Sequence, residues 1–317
     1  MADTLFTYGP ANVTTLLTTT VENRRGEIQD NIFNDLVTTK YLKDKKKVTV
    51  DGGASIVAAL MYTANNTAAF YNGWDIIQTT PQEGFTAGQY KWKEAAVSIS
   101  VSNREETIQN TGKSSVYSIV KAKMDQAEMS LTKVINDGFF NANPTATQIN
   151  SLVTLIDATS TIGDVNSTTS SWWQSTSTTS GSFAAQGRSD MLTTWNTLVT
   201  KGAKPDFILT TPTVHAFYEG SLIPQLRFTQ TDEANGSFGS LMFKTAPVVF
   251  DTAATSGVMY FLDSRHVELL VNANNDFKMT NWKEATDQTG KVAQLIVALE
   301  LTTNNRRRLG KMTAIVA

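Results

Sequence analysis

Cysteine is missing from all 317 residues, so disulfides and thiolate metal centres are excluded. Histidine is nearly missing, with only His215 and His266. No His-x-x-x-His pair, Gly-x-Ser-x-Gly elbow, EF-hand loop or dinucleotide-binding glycine series is present, which leaves the common catalytic and metal-binding templates without material. Charge is scarce: 18% of residues are Asp, Glu, Lys or Arg, and the net charge is −2. No overall field would therefore recruit nucleic acid. The longest apolar run, Ile56–Tyr62, is far shorter than the ~20 residues a membrane-spanning helix needs. Met1-Ala2-Asp3-Thr4 has neither the basic start nor the apolar core of a secretory signal. These absences predict a soluble chain made inside the cell, in which the Asn-x-Ser/Thr matches at Asn12, Asn65, Asn166 and Asn235 have no glycosylating context. The length suffices for one large or two modest domains, and no internal repeat is visible. Low charge fits either an ordinary neutral globular protein or one whose surface is covered by other copies.

The strongest pattern present is Ser114–Gly138. Val116, Val120, Met124, Ala127, Leu131 and Val134 or Ile135 recur every three or four residues, the spacing of one helix face. Lys121, Lys123, Asp125, Gln126, Glu128 and Lys133 fall largely off that face. Ser114 is a suitable N-cap and Gly138 a suitable stop, giving a rod of roughly 36 Å.

Before this helix the chain reads as arm-like. Residues 1–47 contain one expected helix near 27–37. A basic cluster follows, Lys40, Lys43 and Lys45 to Lys47 around Asp44, suited to a solvated hinge or to acidic groups on a neighbouring chain or nucleic acid. In residues 48–110, Gly73–Thr80 is expected as one arm of a hairpin, with turn residues from Pro81 to Gly88. The expected return arm is Ala95–Val101, where Ala95, Val97, Ile99 and Val101 alternate with polar or small residues. Tyr62, Phe70, Tyr71, Trp74, Phe85, Tyr90 and Trp92 crowd this region. A hairpin has little core of its own, so these aromatics must dock on the parent domain or on a partner.

After the helix comes a mixed body. Ile149–Ile156 reads as helix or strand, and Ser167–Ser182 as a Ser/Thr-rich loop anchored by Trp172-Trp173. Ser189–Thr200 is expected as a helix with Leu192, Trp195 and Val199 inward. Phe207-Ile208-Leu209 reads as a buried strand, and Thr211-Pro212 opens another helix. Val248-Val249-Phe250, Val258–Leu262, Val267–Val271, Val292–Thr302 and Arg306–Val316 read as strands.

Chemistry is hard to find. Thr111-Gly112-Lys113-Ser114 before a long helix suggests a phosphate-binding loop, but the required first glycine is replaced by Thr107, beside Glu105-Glu106. Asp263 could be cast as its distant magnesium-binding partner, although apolar strands ending in Asp are common. Arg306 and Arg308 would share one face of a strand, suited to carboxylates across a subunit boundary or to phosphate.

The order of these parts resembles the major capsid proteins of tailed bacteriophages, the Hong Kong 97-type fold. The likeness also reaches Val50-Asp51-Gly52-Gly53, Thr79-Thr80-Pro81-Gln82-Glu83-Gly84, Tyr90-Lys91-Trp92-Lys93, Ala127-Glu128-Met129-Ser130-Leu131 and Lys204-Pro205-Asp206. The resemblance implies an α+β chain with an N-arm at 1–47, an extended E-loop at 48–110, and a spine helix at 111–144 belonging to the peripheral domain. It further implies an axial domain at 145–260 and peripheral strands at 261–317. It implies a non-enzymatic subunit that needs no cofactor or metal and touches no membrane. Copies would form pentamers and hexamers in an icosahedral virion around double-stranded DNA, contacted weakly and without sequence preference. Assembly would take place in the bacterial cytoplasm with a separate scaffolding protein and a portal, and the Ser/Thr-rich loop could meet its copies at the capsomer centre. Trp74, Tyr90, Trp92, Arg306 and Arg308 are the expected interface residues. The alternatives are an encapsulin-type compartment on the same fold and a nucleotide-binding enzyme using Gly112-Lys113-Ser114.

Overall fold

The structure, a computed structural model, describes residues 36–103, 119–226, 241–286 and 288–317. In chain order, helix α1 (Val37–Lys46) runs directly into strand β1 (Lys47–Val50), followed by β2 (Ile56–Met61), β3 (Phe85–Tyr90), β4 (Lys93–Ser102) and helix α2 (Ile119–Phe139). Next come the short helix α3 (Leu152–Leu155), β5 (Thr161–Ile162), β6 (Val165–Asn166), β7 (Thr176–Thr179) and helix α4 (Arg188–Thr200). Then follow β8 (Phe207–Thr210), α5 (Pro212–Leu226), β9 (Met242–Phe243), β10 (Ala246–Phe250), β11 (Met259–Leu262) and β12 (Val267–Asn272). The chain closes with β13 (Lys278–Met279), β14 (Lys283–Glu284), β15 (Gly290–Thr303) and β16 (Gly310–Thr313). These elements form two compact units. The larger comprises Asn34–Glu94, Val134–Asp276 and Ala298–Ala317, and the smaller contains Ala95–Lys133 and Phe277–Val297.

The core of the larger unit is a six-stranded sheet in the order β7-β16-β11-β8-β10-β9. Strands β8 and β11 are buried at all four of their positions, as continuous apolar runs require when both faces of a strand are covered. Ile208, Met259, Phe261 and Met312 of the sheet pack with Met191 and Leu198 of α4 and Val214 of α5. Thr211 caps α5, its hydroxyl accepting the Val214 N–H at 3.4 Å. On α4 the inward face is Met191, Thr194, Trp195 and Leu198, so the expected inward Leu192 and Val199 turn to solvent. A helix face can be misjudged by one residue where threonines, which bury as readily as they expose, fill the sequence.

A second set of strands in this unit runs β1, parallel to β12, then β12 antiparallel to the Leu299–Thr303 half of β15. The hairpin differs from expectation. Its arms are β2 and β3, paired from Ile56↔Tyr90 to Met61↔Phe85, and residues 73–80 belong to the connection between them. The apolar run Ile56–Met61 is one arm, and Phe85–Tyr90 is strand rather than turn. Other corrections follow the same physics. The lysine cluster at 40–47 is helical through Lys46. Gly138 is the penultimate residue of α2, one short of its end, and a Cβ there would stand 3.1 Å from Ile149 Cδ1, so the glycine also allows close packing. The Ser/Thr-rich segment contains β7, paired in parallel with β16. The start of the long helix at Ser114 and nearly all of the helix near 27–37 lie outside the described residues.

In the smaller unit, β4 alternates as expected, but its partner is β15. β15 also pairs with β13 through Lys278↔Ile296 and with β14 through Lys283↔Val292. On α2, Lys123 donates from Nζ to the carbonyl of Ser100 at 3.0 Å. Gly290 permits the close approach of β4, because a Cβ at this position would lie 2.9 Å from the carbonyl oxygen of Val101. Gly290→Ala should therefore loosen this unit, costing about 1–3 kcal/mol by overpacking. The expected reading is faster amide exchange in β4 with β8 unchanged; equal exchange in both proteins would refute the close-approach argument.

Candidate assembly surface

One end of the β2–β3 hairpin is fastened to the larger unit by buried groups. Tyr90 is 2% exposed and donates from its hydroxyl to the carbonyl of Thr303 at 2.7 Å. Burial pushes the Tyr90 hydroxyl up to about 12, so it remains a donor at any physiological pH. The tyrosine ring lies against Gly163, where a Cβ would come within 3.2 Å of it. Gly163 and Asp164 both have positive φ, the conformation of a two-residue turn matched to strand twist, and they join β5 to β6. The Gly163 carbonyl also accepts the Gln89 N–H at 3.0 Å. Tyr62 packs on Trp172 with ring centres 5.6 Å apart, and Trp92 donates to the Gly53 carbonyl at 3.0 Å.

The β5–β6 segment is in turn organised by Arg306. This residue is fully buried, in a short 3₁₀ turn, Arg306–Arg308, between β15 and β16. Its Nε donates to the Leu155 carbonyl at 2.8 Å. Nη1 reaches the Ser160 carbonyl and the Ser167 hydroxyl at 2.9 and 2.7 Å. Nη2 reaches the carbonyls of Thr154 and Asp157 and the Ser160 hydroxyl at 3.0, 2.7 and 2.6 Å. Two of these acceptors are carbonyls at the C-terminal end of α3, which a cation satisfies well. Desolvation lowers the Arg306 pKa to about 10, which still leaves the side chain charged near neutrality. Trp173 also holds this segment, buried and donating to the Ile162 carbonyl at 3.1 Å.

Nearby, Glu300 is 1% exposed, and its Oε1 accepts the N–H groups of Asn150 and Leu301 at 2.8 and 2.9 Å. Burial raises the carboxyl pKa to about 7, against the opposing pull of these hydrogen bonds and of Lys93.

The far end of the hairpin is different. In the connection between β2 and β3, Trp74 is 98% and Ile76 95% exposed, while Phe70, Tyr71 and Ile77 are also exposed. Residues 62–84 contain no Lys or Arg, only Asp75 and Glu83 as charges. Short local bonds shape it, including the Asp75 N–H to the Asn72 carbonyl at 2.8 Å and the Thr67 N–H to Asn65 Oδ1 at 2.9 Å. These apolar side chains left in water are the candidate contact surface.

The five residues expected at an interface thus separate. Trp74 stands exposed at the tip and Trp92 is half-buried at the base. Tyr90 and Arg306 are interior residues, a correction, since their polar groups are satisfied within their own chain. Arg308 is half-buried and donates from Nη1 to His266 Nε2 at 3.0 Å; it does not share a strand face with Arg306, because both lie in the 3₁₀ turn. Gly112-Lys113-Ser114 lies outside the described residues. Phe70 was visible among the aromatics, whereas Ile76 and Glu300 were missed; a lone carboxylate within the apolar run Leu295–Leu301 was the available signal for the latter. Among the described residues no group of three His, Asp or Glu side chains could hold a metal, and no helix is long and apolar enough to cross a membrane.

No protein-family model and no curated protein matches the sequence. The fold does match solved structures. The capsid asymmetric unit of cyanophage A-1(L) superposes with a TM-score of 0.73 at 16% identity, over 94% of this chain and 97% of that one. The capsid of the native GTA particle gives 0.64 at 11% identity, covering 96% and 98%. The holo-SrpI encapsulin complex of Synechococcus elongatus PCC 7942 gives 0.61 at 9% identity, covering 96% of each. The chain therefore has the α+β fold of phage capsid subunits, which encapsulin shares.

Two predictions follow from the buried groups. Arg306→Ala should cost about 3–5 kcal/mol in denaturant unfolding, because it orphans buried acceptors, and Arg306→Lys should recover only part of that. The folded state holds the Glu300 proton up to about pH 7 and the unfolded state only to 4.5, so this carboxyl makes stability fall as pH rises through that window. Its share is roughly 3 kcal/mol. Glu300→Gln should flatten the corresponding slope of unfolding free energy against pH; parallel slopes in the two proteins would contradict the assignment.

Proposed function

We propose that this chain is the major subunit of a phage-type capsid, assembling as pentamers and hexamers around double-stranded DNA. The observation that carries the reading is the apolar connection between β2 and β3: Phe70, Trp74 and Ile76 stand in water on a hairpin whose base is fastened by buried bonds. Another copy of the chain is the natural cover for such a surface, and the capsid fold supports that choice. In this reading the hairpin is the E-loop at 48–110 and α2 belongs to the spine helix at 111–144. The sheet around β8 and β11 forms the bulk of an axial domain at 145–260, joined by β16 from the C-terminal end, and the rest of 261–317 supplies peripheral strands.

Each contact needs to contribute only a few kcal/mol, since closure of a symmetric shell multiplies identical interfaces. Trp74 is the expected anchor, with Phe70 and Ile76 beside it. Trp92 and Tyr90 act from the base by fixing where the hairpin starts, and Arg308 remains a candidate rim contact. The subunit itself does no chemistry. DNA contact is weak and independent of sequence, given a net charge of −2. A separate scaffolding protein and a portal complete assembly in the host cytoplasm, and the product is a virion.

The encapsulin match supports a second reading, a compartment around protein cargo. Negative-stain microscopy and nuclease treatment of purified particles separate the possibilities. Closed shells containing protected DNA support the capsid; shells that co-purify a protein cargo support the compartment; monomers or tubes sink both. The double variant Trp74→Ala, Ile76→Ala should unfold within about 0.5 kcal/mol of the parent, because both side chains are already solvated. It should nevertheless fail to close shells under conditions where the parent does. Normal particles from this variant would remove the anchor from the proposal.

A further inference from the structure

Helix α1 is held by groups that lie outside it in the sequence. It is ten residues long, carries Lys40, Lys43, Lys45 and Lys46, and has no side-chain cap at Leu36. A helix of this length is marginal without tertiary support. The side chains it buries fully are Thr38, Thr39 and Leu42, while Tyr41 stacks on Phe207 at 4.1 Å. Two of the three buried groups are hydroxyl-bearing, so apolar burial contributes little. Strand β1 adds four residues, three of them exposed, paired to β12.

The missing cap comes from 213 positions away. Asp251 Oδ2 accepts both the Thr38 N–H at 3.1 Å and the Thr38 hydroxyl at 2.7 Å. Its Oδ1 accepts the Ala253 N–H at 2.9 Å and Asn136 Nδ2 of α2 at 3.2 Å. The Asn136 Oδ1 completes the knot by accepting the Thr39 hydroxyl at 2.8 Å. Thr38, Thr39, Asn136 and Asp251 are all at most 2% exposed. A carboxylate so placed satisfies orphan N–H groups and sits at the positive end of the helix.

We propose that Asp251 is the catch of a releasable strap made of α1 and β1. Closed, the strap is held at its start by this polar knot and along its length by buried Leu42, the Tyr41–Phe207 stack, the parallel pairing of β1 with β12 and the ion pair of Lys47 with Asp276. Open, it frees the knot from α2 and uncovers the hydrogen-bonding edge of β12. Its chemistry favours release as a piece: the threonine hydroxyls, lysines and helix N–H groups find water when the strap leaves, and the apolar surface uncovered is limited to Leu42 and the Tyr41–Phe207 stack.

Amide hydrogen exchange read by mass spectrometry on the full chain tests this, comparing wild type with Asp251→Asn and with the nearly isosteric Thr38→Val. In Asp251→Asn an amide nitrogen must face a donor, so peptides covering 37–50 should exchange at least about tenfold faster while those of β8 and β11 keep their wild-type rates. Thr38→Val, which loses the hydroxyl bond and retains the N–H bond, should give a smaller rise confined to the same residues. Unchanged exchange at 37–50 in Asp251→Asn would overturn the proposal. So would a parallel rise in β8 and β11, which would make Asp251 a support of the whole unit. If Asp251→Asn does not fold, Thr38→Val decides by the same comparison.

Discussion

The guanidinium of Arg306 lies fully buried and is solvated by protein instead of by water. Its five N–H groups, one of them shared at Nη2, reach four backbone carbonyls and two serine hydroxyls between residues 154 and 167, and no carboxylate. An ion pair can be satisfied by many geometries, but a fork meeting six neutral oxygens can be satisfied by very few. The segment from α3 to β6 therefore has one shape available to it. Gly163 is presented at a fixed point in that segment, and both Tyr90 and Gln89 of the hairpin rest on it. Control passes from a buried charge, through a loop, to the base of an exposed ribbon.

The division between base and tip follows from how each end is satisfied. At the base, polar groups are paired inside the chain and the aromatics are covered. At the tip, the backbone is shaped by short local bonds while the aromatics are left to water. Rigidity at one end limits the conformational freedom that ordering the other end must remove, which is how a modest apolar cluster can make a specific contact.

Much of this architecture was readable from the residues. The buried strands at Phe207–Thr210 and Met259–Leu262, the capped helix after Thr211, the alternation of β4 and the long helix all carry local signals of period or capping. The misplacements share a cause. Ala95–Val101 shows a strand but not which strand it pairs with, so sequence proximity points to the hairpin while the true partner is β15. Arg306-Arg307-Arg308 looks like a surface patch because arginine usually is one; the burial of Arg306 depends on carbonyls nearly 150 residues earlier. The Asp251 knot joins helix α1 to residues 136 and 251, and no window of sequence contains all three. Local chemistry is legible in such a chain, and long-range satisfaction of polar groups is not.

The lack of lysine and arginine between residues 62 and 84 has a thermal consequence. In the proposed assembly, a seam built on Trp74, Ile76 and Phe70 would draw its strength from displaced water, so association would carry a negative heat capacity change and weaken on cooling. Sulfate or phosphate would tighten such a seam where they would screen one made of ion pairs. Particles joined in this way would come apart in the cold before they came apart in brine.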